Sequence, residues 1–157
     1  MRKLWLLVLL GVVAAPLATG ATGALADPGA RSQLKAIAGQ GAGILAVAPT
    51  AYDLAGPGTF DVQGTVSVYG AAPNTTFTVL RRVDLNADGV CTGEMWFTLP
   101  PPNEQALTTS NGGAGALHFE IARGEPFVDG VRFDVQWQLR GSDGSVLESD
   151  CFTVTVK

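Results

Sequence analysis

Residues 84–89 carry the strongest chemical pattern in the chain. They have the sequence Asp-Leu-Asn-Ala-Asp-Gly, which matches the first half of an EF-hand loop, where alternate oxygen ligands converge on calcium before a glycine turn. The match fails at the twelfth position, where Met95 replaces the bidentate carboxylate and Glu94 stands one place early. Two interpretations of this segment are therefore open. It is either a looser calcium site or an ordinary polar hairpin loop, whose side chains form hydrogen bonds with their own backbone. The candidate calcium ligands are the side chains of Asp84, Asn86 and Asp88 and the carbonyl oxygen of Val90.

The rest of the sequence offers little for catalysis. Any Ser-His-Asp arrangement would have to use His118, the single histidine, which lies in an alternating segment beside Glu120. No G-x-S-x-G elbow, phosphate-binding glycine loop or H-E-x-x-H motif occurs. Carboxylate pairs such as Asp129 with Asp134 are expected by chance among 14 acidic residues. We therefore predict that the protein is not an enzyme and has no cofactor other than the candidate calcium ion.

Cys91 and Cys151 are the only cysteines. In an exported chain, such a pair most simply forms one disulfide, which would stabilise the fold by about 4 kcal/mol on the chain-entropy model. A metal site would need more ligands near them, because zinc usually takes four. We therefore predict a Cys91–Cys151 disulfide.

The first 26 residues have the organisation of a secretory signal peptide. A basic pair at 2–3 precedes an apolar run at 4–15, and a small-x-small cleavage site follows at 24–26. The alternative is a retained membrane anchor, but a spanning helix needs about 20 apolar residues and Pro16 interrupts the run earlier. We therefore predict a secreted, extracellular protein whose mature chain begins near Asp27, with no transmembrane segment after cleavage.

The charge of the chain argues against nucleic acid as a partner. Ten Lys and Arg residues against 14 Asp and Glu give a net charge of −4, and cleavage after residue 26 would remove two basic residues and leave −6. Arg81 and Arg82 are the only adjacent basic pair in the mature chain, whereas a phosphate backbone is bound by a clustered basic surface.

Residues 27–43 differ in composition from the rest of the mature chain. They are rich in Ala and Gly and contain only Leu34 and Ile37 as sizeable apolar side chains. We interpret them as a spacer, ordered or disordered, because three closely spaced glycines would end a helix quickly. A short helix over 32–38 is the alternative.

From Thr59 onward, apolar and polar residues alternate, as is typical of strands with one buried face. Gly64 is interpreted as a bulge or bend in the first long strand. In the second, Arg81 shares the otherwise apolar face of Val79 and Val83. The predicted strands are 44–48, 59–69, 76–83, 91–99, 105–109, 116–122, 131–140 and 146–156. This pattern predicts one domain over 44–157, an all-β, two-sheet antiparallel sandwich of about seven to eight strands, with a closed barrel as the main alternative.

Two segments resemble bacterial secreted immunoglobulin-like domains. Residues 70–79 have the sequence Gly-Ala-Ala-Pro-Asn-Thr-Thr-Phe-Thr-Val and residues 107–115 the sequence Leu-Thr-Thr-Ser-Asn-Gly-Gly-Ala-Gly, similar to turn and strand segments of those domains. The resemblance covers about residues 59–157 and implies an exported, non-catalytic binding or surface module. A more distant likeness is to secreted apoproteins that carry enediyne chromophores in a cleft between two sheets. Those proteins usually have two disulfides, and this chain can form one.

Two functions are therefore open. The first is a recognition module for an extracellular protein, a glycan or a small ligand, because exposed aromatic side chains and proline loops suit binding. Its candidate binding residues are Trp96, Tyr69, Pro101 and Asn103, although Trp96 suits a core position equally well. The second is a small-ligand carrier, which needs a concave, mostly apolar cleft between the sheets.

Overall fold

The computed structural model describes residues 30–52, 59–99, 106–123 and 127–157. The regular elements described there are all strands: β1 (Ala30–Ala38), β2 (Ala42–Tyr52), β3 (Thr59–Tyr69), β4 (Thr76–Asp84), β5 (Phe97–Thr98), β6 (Leu107–Thr108), β7 (Gly115–Arg123), β8 (Arg132–Gly141), β9 (Val146–Ser149) and β10 (Phe152–Thr155). The predicted signal peptide, residues 1–26, lies outside the described residues. Within the described ranges, no helix is long and apolar enough to cross a membrane.

Hydrogen bonds join the strands into one antiparallel sheet. Its order is β5-β4-β8-β9-β1-β2-β3-β7, with β6 beside β4 and β10 beside β8. Although β7 and β8 are far apart in this order, the rings of Phe119 in β7 and Trp137 in β8 have centroids only 5.1 Å apart. The sheet therefore curls into a half-barrel whose two ends face each other. The all-β antiparallel prediction is confirmed, but hydrogen bonding does not divide the strands into two separate sheets.

β1 links the two halves of the curled sheet. It pairs with β2 through residues 30–35 and with β9 through residues 34–38. Leu34 anchors it in the core with 1% of its surface exposed. The interpretation of residues 27–43 as a spacer, and the alternative helix, are therefore wrong for residues 30–43. Strand partners on both edges satisfy the backbone of this Ala-rich segment, so it needs few apolar side chains of its own.

The strongly alternating strands lie where the pattern predicts them, since β3, β4, β7 and β8 begin and end within one residue of the predicted ranges. Gly64 is not a bulge, because β3 pairs with β2 and β7 through it without a register shift. Its cross-strand partner is Phe119, whose ring occupies the space that a Cβ at Gly64 would need. The glycine therefore makes room for an aromatic ring.

The predicted strand over 91–99 is wrong for most of its length. Only Phe97–Thr98 is a strand, and residues 91–96 have no regular structure. A disulfide joins Cys91 to Cys151, with Cα atoms 5.6 Å apart, and Arg82 Nη1 donates a hydrogen bond to the Gly93 carbonyl at 3.0 Å. These contacts hold the segment beside the sheet rather than within it. Likewise, the strand predicted over 146–156 is interrupted at residues 150–151, where Cys151 lies.

The inner face of the curled sheet forms the hydrophobic core. Its largest fully buried side chains include Trp137, Phe77, Phe119, Leu45, Leu139 and Leu147. The outer face of β8 is also buried at Asp134, Gln136 and Gln138. Neighbouring segments cover these polar side chains and supply their hydrogen bonds, for example from Gln136 Nε2 to the Ser149 carbonyl at 2.8 Å.

Candidate functional site

A cavity of about 80 Å³, partly open to solvent, lies between the two halves of the sheet. One wall comes from β2, β3 and β7 and is formed by Val47, Pro49, Val62 and Ile121. The opposite wall comes from β4, β8 and β10 and is formed by Arg81, Val83, Phe133, Val135, Trp137 and Val154. Phe127 also lines the cavity, and its ring packs edge-on against Phe133 with centroids 4.9 Å apart.

Arg81 and Trp137, the two lining residues with N–H groups in their side chains, are neighbours on the second wall. Arg81 of β4 lies directly opposite Trp137 of β8 in the strand register, and such residues on one face of an antiparallel pair have Cβ atoms about 4.5–5.5 Å apart. Arg81 is 7% exposed and Trp137 is 1% exposed. The indole Nε1–H of Trp137 has no hydrogen-bond acceptor among the described residues, although buried indole N–H groups usually find one.

The lining determines what the cavity can do chemically. Arg81 is the one charged side chain among the described lining residues, and the others are aliphatic or aromatic. A guanidinium remains protonated and offers only donors, as does an indole N–H. The cavity therefore combines apolar walls with one charged side chain, and one of its lining residues carries a buried indole N–H. Apolar walls with few polar groups are typical of small-molecule sites.

Alternation in the sequence indicated part of this site. It placed Arg81 on the inner face of β4 with Val79 and Val83, and the structure buries Arg81 on that face. In the predicted strand over 131–140, the same alternation places Trp137 in one apolar row with Phe133 and Val135, and the structure buries Trp137 in that row. The cavity itself was missed, because a periodic pattern states which face is buried and not how completely the facing side chains fill the interior.

Trp96 and Tyr69, two of the predicted binding residues, are not brought together. Trp96 is half-buried, and the guanidinium carbon of Arg82 lies 5.0 Å from its ring centre. Tyr69 is 52% exposed at the end of β3 that precedes the turn into β4, whereas Arg82 lies towards the other end of β4. The remaining two, Pro101 and Asn103, lie outside the described residues.

The candidate calcium loop uses its carboxylates within the loop. Asp84 Oδ2 accepts hydrogen bonds from the Thr92 hydroxyl at 2.6 Å and the Thr92 N–H at 3.1 Å, and Asp84 Oδ1 accepts from the Asn86 N–H at 3.0 Å. The Thr92 hydroxyl contributes most to lowering the pKa of Asp84. Asp88 Oδ1 accepts from the Val90 N–H at 2.9 Å. These contacts are those of an ordinary polar loop.

Metal binding by this loop stays a prediction. In the four described ranges, no group of three or more His, Cys, Asp or Glu side chains is arranged to hold a metal ion. The candidate set contains two acids, Asp84 and Asp88, with Asn86 and the Val90 carbonyl as its other members.

Asp134 of β8 holds this loop through hydrogen bonds to its backbone, a role that the sequence did not indicate. It is fully buried, and its carboxylate accepts hydrogen bonds from the Gly89 N–H at 2.6 Å and the Thr153 hydroxyl at 2.5 Å. Burial by itself would raise the pKa of Asp134, but these bonds and those from the N–H groups of Asp88 and Val90 outweigh burial and lower it. Both oxygens are engaged in this way, so Asp134 has a structural role.

A different acidic pair lies on the outer face of β3 and β7. Asp61 is 8% exposed, and burial, together with the nearby Glu120 carboxylate, raises the pKa of Asp61. Asp61 Oδ1 has no hydrogen-bond partner within the described part of the chain. Farther along the same face, His118 Nδ1 lies 3.2 Å from Thr65 Oγ1. This group faces away from the cavity, because residue 61 and the lining residue Val62 point to opposite faces of the strand.

Comparison with protein-family models and with curated proteins gives no match for this chain. Function is therefore inferred from the geometry of the cavity.

Proposed function

We propose that this protein is an exported, non-catalytic binding protein that holds a small ligand between the two halves of its curled sheet. The observation that carries the proposal is the cavity lined by Phe127, Phe133 and Trp137, with Arg81 on its wall. Of the two functions that the sequence leaves open, the carrier requires such a cleft. The recognition module has less support, because Trp96 is half-buried beneath Arg82 and lies away from Tyr69.

The volume of the cavity limits what it encloses. An apolar cavity of about 150 Å³ binds benzene, whereas this one measures about 80 Å³. The enclosed space therefore suits one end of a ligand. Because the cavity is partly open, the rest of the ligand can lie in the opening.

Export and an immunoglobulin-like arrangement belong to the same proposal. The Cys91–Cys151 disulfide suits an oxidising compartment. The contact of Phe119 with Trp137 across the core is what a two-layer sandwich would have, even though hydrogen bonds connect the layers through β1.

Native mass spectrometry of protein purified from culture supernatant tests the proposal. We expect the mass of the chain without residues 1–26, plus a retained small molecule. Val62→Phe should fill the cavity and lose this molecule, whereas Val128→Phe, at a position that is 51% exposed, should retain it.

A panel of neutral and anionic aromatic fragments provides the second measurement, monitored by NMR of the methyl groups of Val62, Ile121 and Val154. A bare chain mass, together with no fragment that shifts these methyl resonances, would contradict the proposal.

A further inference from the structure

We propose that the ligand of this cavity is a small apolar or aromatic carboxylate whose carboxylate group is held by Arg81 and Trp137. This inference rests on the proposed function and adds the chemical class of the ligand. It follows from the register, charge and burial of these two residues.

The strand register places the two donor-bearing residues side by side on one face of the sheet. Arg81 and Trp137 are direct cross-strand partners on the inner face of β4 and β8, and both line the cavity. A carboxylate has two oxygens with about four lone-pair directions in one plane. One oxygen can accept from the guanidinium while the other accepts from the indole Nε1–H.

The charge at this position favours an anion. Arg81 is a buried cation among apolar lining residues, and in such surroundings a charge interacts more strongly with a partner than it does in water. A guanidinium has five N–H donors, so Arg81 can bind a carboxylate while it keeps its contacts within the protein. Hydrogen bonds between charged groups are also about twice as strong as neutral ones.

The Trp137 N–H adds a separate reason. It is a buried donor without an acceptor among the described residues, and an unsatisfied buried donor is costly. A ligand oxygen would satisfy it, whereas an ammonium or another donor at the same position would not. Since the donor pair adjoins aliphatic and aromatic walls, the body attached to the carboxylate should be apolar.

A matched pair of probes tests the inference. Phenylacetate and phenylacetamide share an apolar body and differ in charge. The dissociation constant of each is measured from the Nε1–H resonance of Trp137 in ¹H–¹⁵N spectra, assigned by its loss in Trp137→Phe. We expect phenylacetate to bind about tenfold or more tightly than the amide, as a charge-assisted hydrogen bond would give.

The variant Arg81→Met should weaken the binding of phenylacetate until its dissociation constant equals that of phenylacetamide, and should leave the dissociation constant of the amide unchanged. Arg132→Met, which removes an exposed cation from the outer face of β8, is the matched control and should leave both dissociation constants unchanged. If Arg81→Met does not fold, Arg81→Lys retains the charge without the planar fork, and should give an intermediate preference for phenylacetate.

The outcomes separate this inference from the proposed function. Equal binding of the two probes would overturn the carboxylate and leave a ligand-binding cavity standing. A preference for phenylacetate that survives in a folded Arg81→Met variant, or that Arg132→Met also removes, would overturn the assignment to Arg81. If neither probe shifts the Trp137 resonance and no aromatic fragment shifts the lining methyl groups, the cavity is not a binding site and both proposals fall.

Discussion

Two neighbouring arginines show how single positions along a strand acquire different chemistry. Arg81 points inward to the cavity wall, whereas Arg82 points outward, where it donates to Gln136 Oε1 at 2.8 Å and stacks on Trp96. Successive side chains in a strand face opposite ways, so this adjacent basic pair does not make a basic patch. One of the two arginines supports the polar outer face, and the other lines the cavity.

We predict that Asp134→Asn destabilises the protein by about 2 kcal/mol at neutral pH, because charge-assisted hydrogen bonds to buried donors are lost. The pKa of Asp134 is lowered from 3.8. The carboxylate therefore contributes its stability fully above that value, and the contribution disappears as the pH falls through the folded pKa. Urea unfolding from pH 7 down to pH 3 should show the difference from wild type shrinking. Asp129→Asn, at an exposed position, is the control and should differ little from wild type in stability at pH 7.

Asp61 should behave in the opposite way. Its pKa is raised above 3.8 by burial and by Glu120, so the fold favours the protonated form. The contribution of protonated Asp61 to the stability of the fold is fully present below pH 3.8 and is lost as the pH rises through the pKa of Asp61 in the folded protein. Asp61→Asn should therefore be more stable than wild type at pH 7, with an advantage that vanishes in acid. Thermal unfolding across this pH range checks it, and lower stability of the variant at pH 7 would refute it.

The candidate site was partly predictable at the level of single residues. The period of two in the sequence predicts that Arg81 and Trp137 both point inward. It could not identify Asp134 as the anchor of the 84–90 loop, because that contact with Gly89 joins residues 45 positions apart. Such contacts depend on the strand register and on the path of a loop, and neither is encoded in local spacing.

Among the strands, β3 and β7 carry a sharp test of packing. The ring of Phe119 occupies the space beside Gly64, so Gly64→Ala should cost about 1–3 kcal/mol through overpacking. In a Phe119→Leu background the same substitution should cost less, which a double-mutant cycle by urea unfolding would measure. Gly112→Ala is the control, because the nearest atom to its added Cβ is Ser110 Oγ at 3.7 Å. Equal costs in both backgrounds would show that the ring is not the cause.

Some strands were predictable and others were not, for an identifiable reason. β3, β7 and β8 alternate in polarity, and β4 does so apart from Leu80 and Arg81, because one face is buried and the other is solvated or polar. β1 has a single buried apolar side chain, Leu34, and owes its conformation to partners on both edges. Residues 91–96 show the reverse case, in which a segment with suitable alternation is held outside the sheet by the Cys91–Cys151 disulfide and by Arg82.

At the scale of the whole molecule, β1 keeps the two halves of the sheet together. Ala36 pairs with Leu147 of β9, and proline cannot donate a ladder hydrogen bond. Ala36→Pro should therefore destabilise the protein by about 3 kcal/mol or more and increase amide hydrogen exchange in both β2 and β9. Ile37→Ala, at an adjacent position that is 62% exposed, should change stability by less than about 0.5 kcal/mol. Unchanged exchange in β9 would show that β1 is not the link.

The pairing of β1 with β9 also determines when folding can finish. Lys35 of β1 contacts Asp150, a residue 115 positions later, just after β9. During synthesis, β1 must therefore wait for β9 before its second edge is covered. Long-range pairings of this kind form slowly, and incomplete sheets expose apolar surface while they form. The newly made chain should therefore depend most on chaperones in the interval before its C-terminal strands arrive.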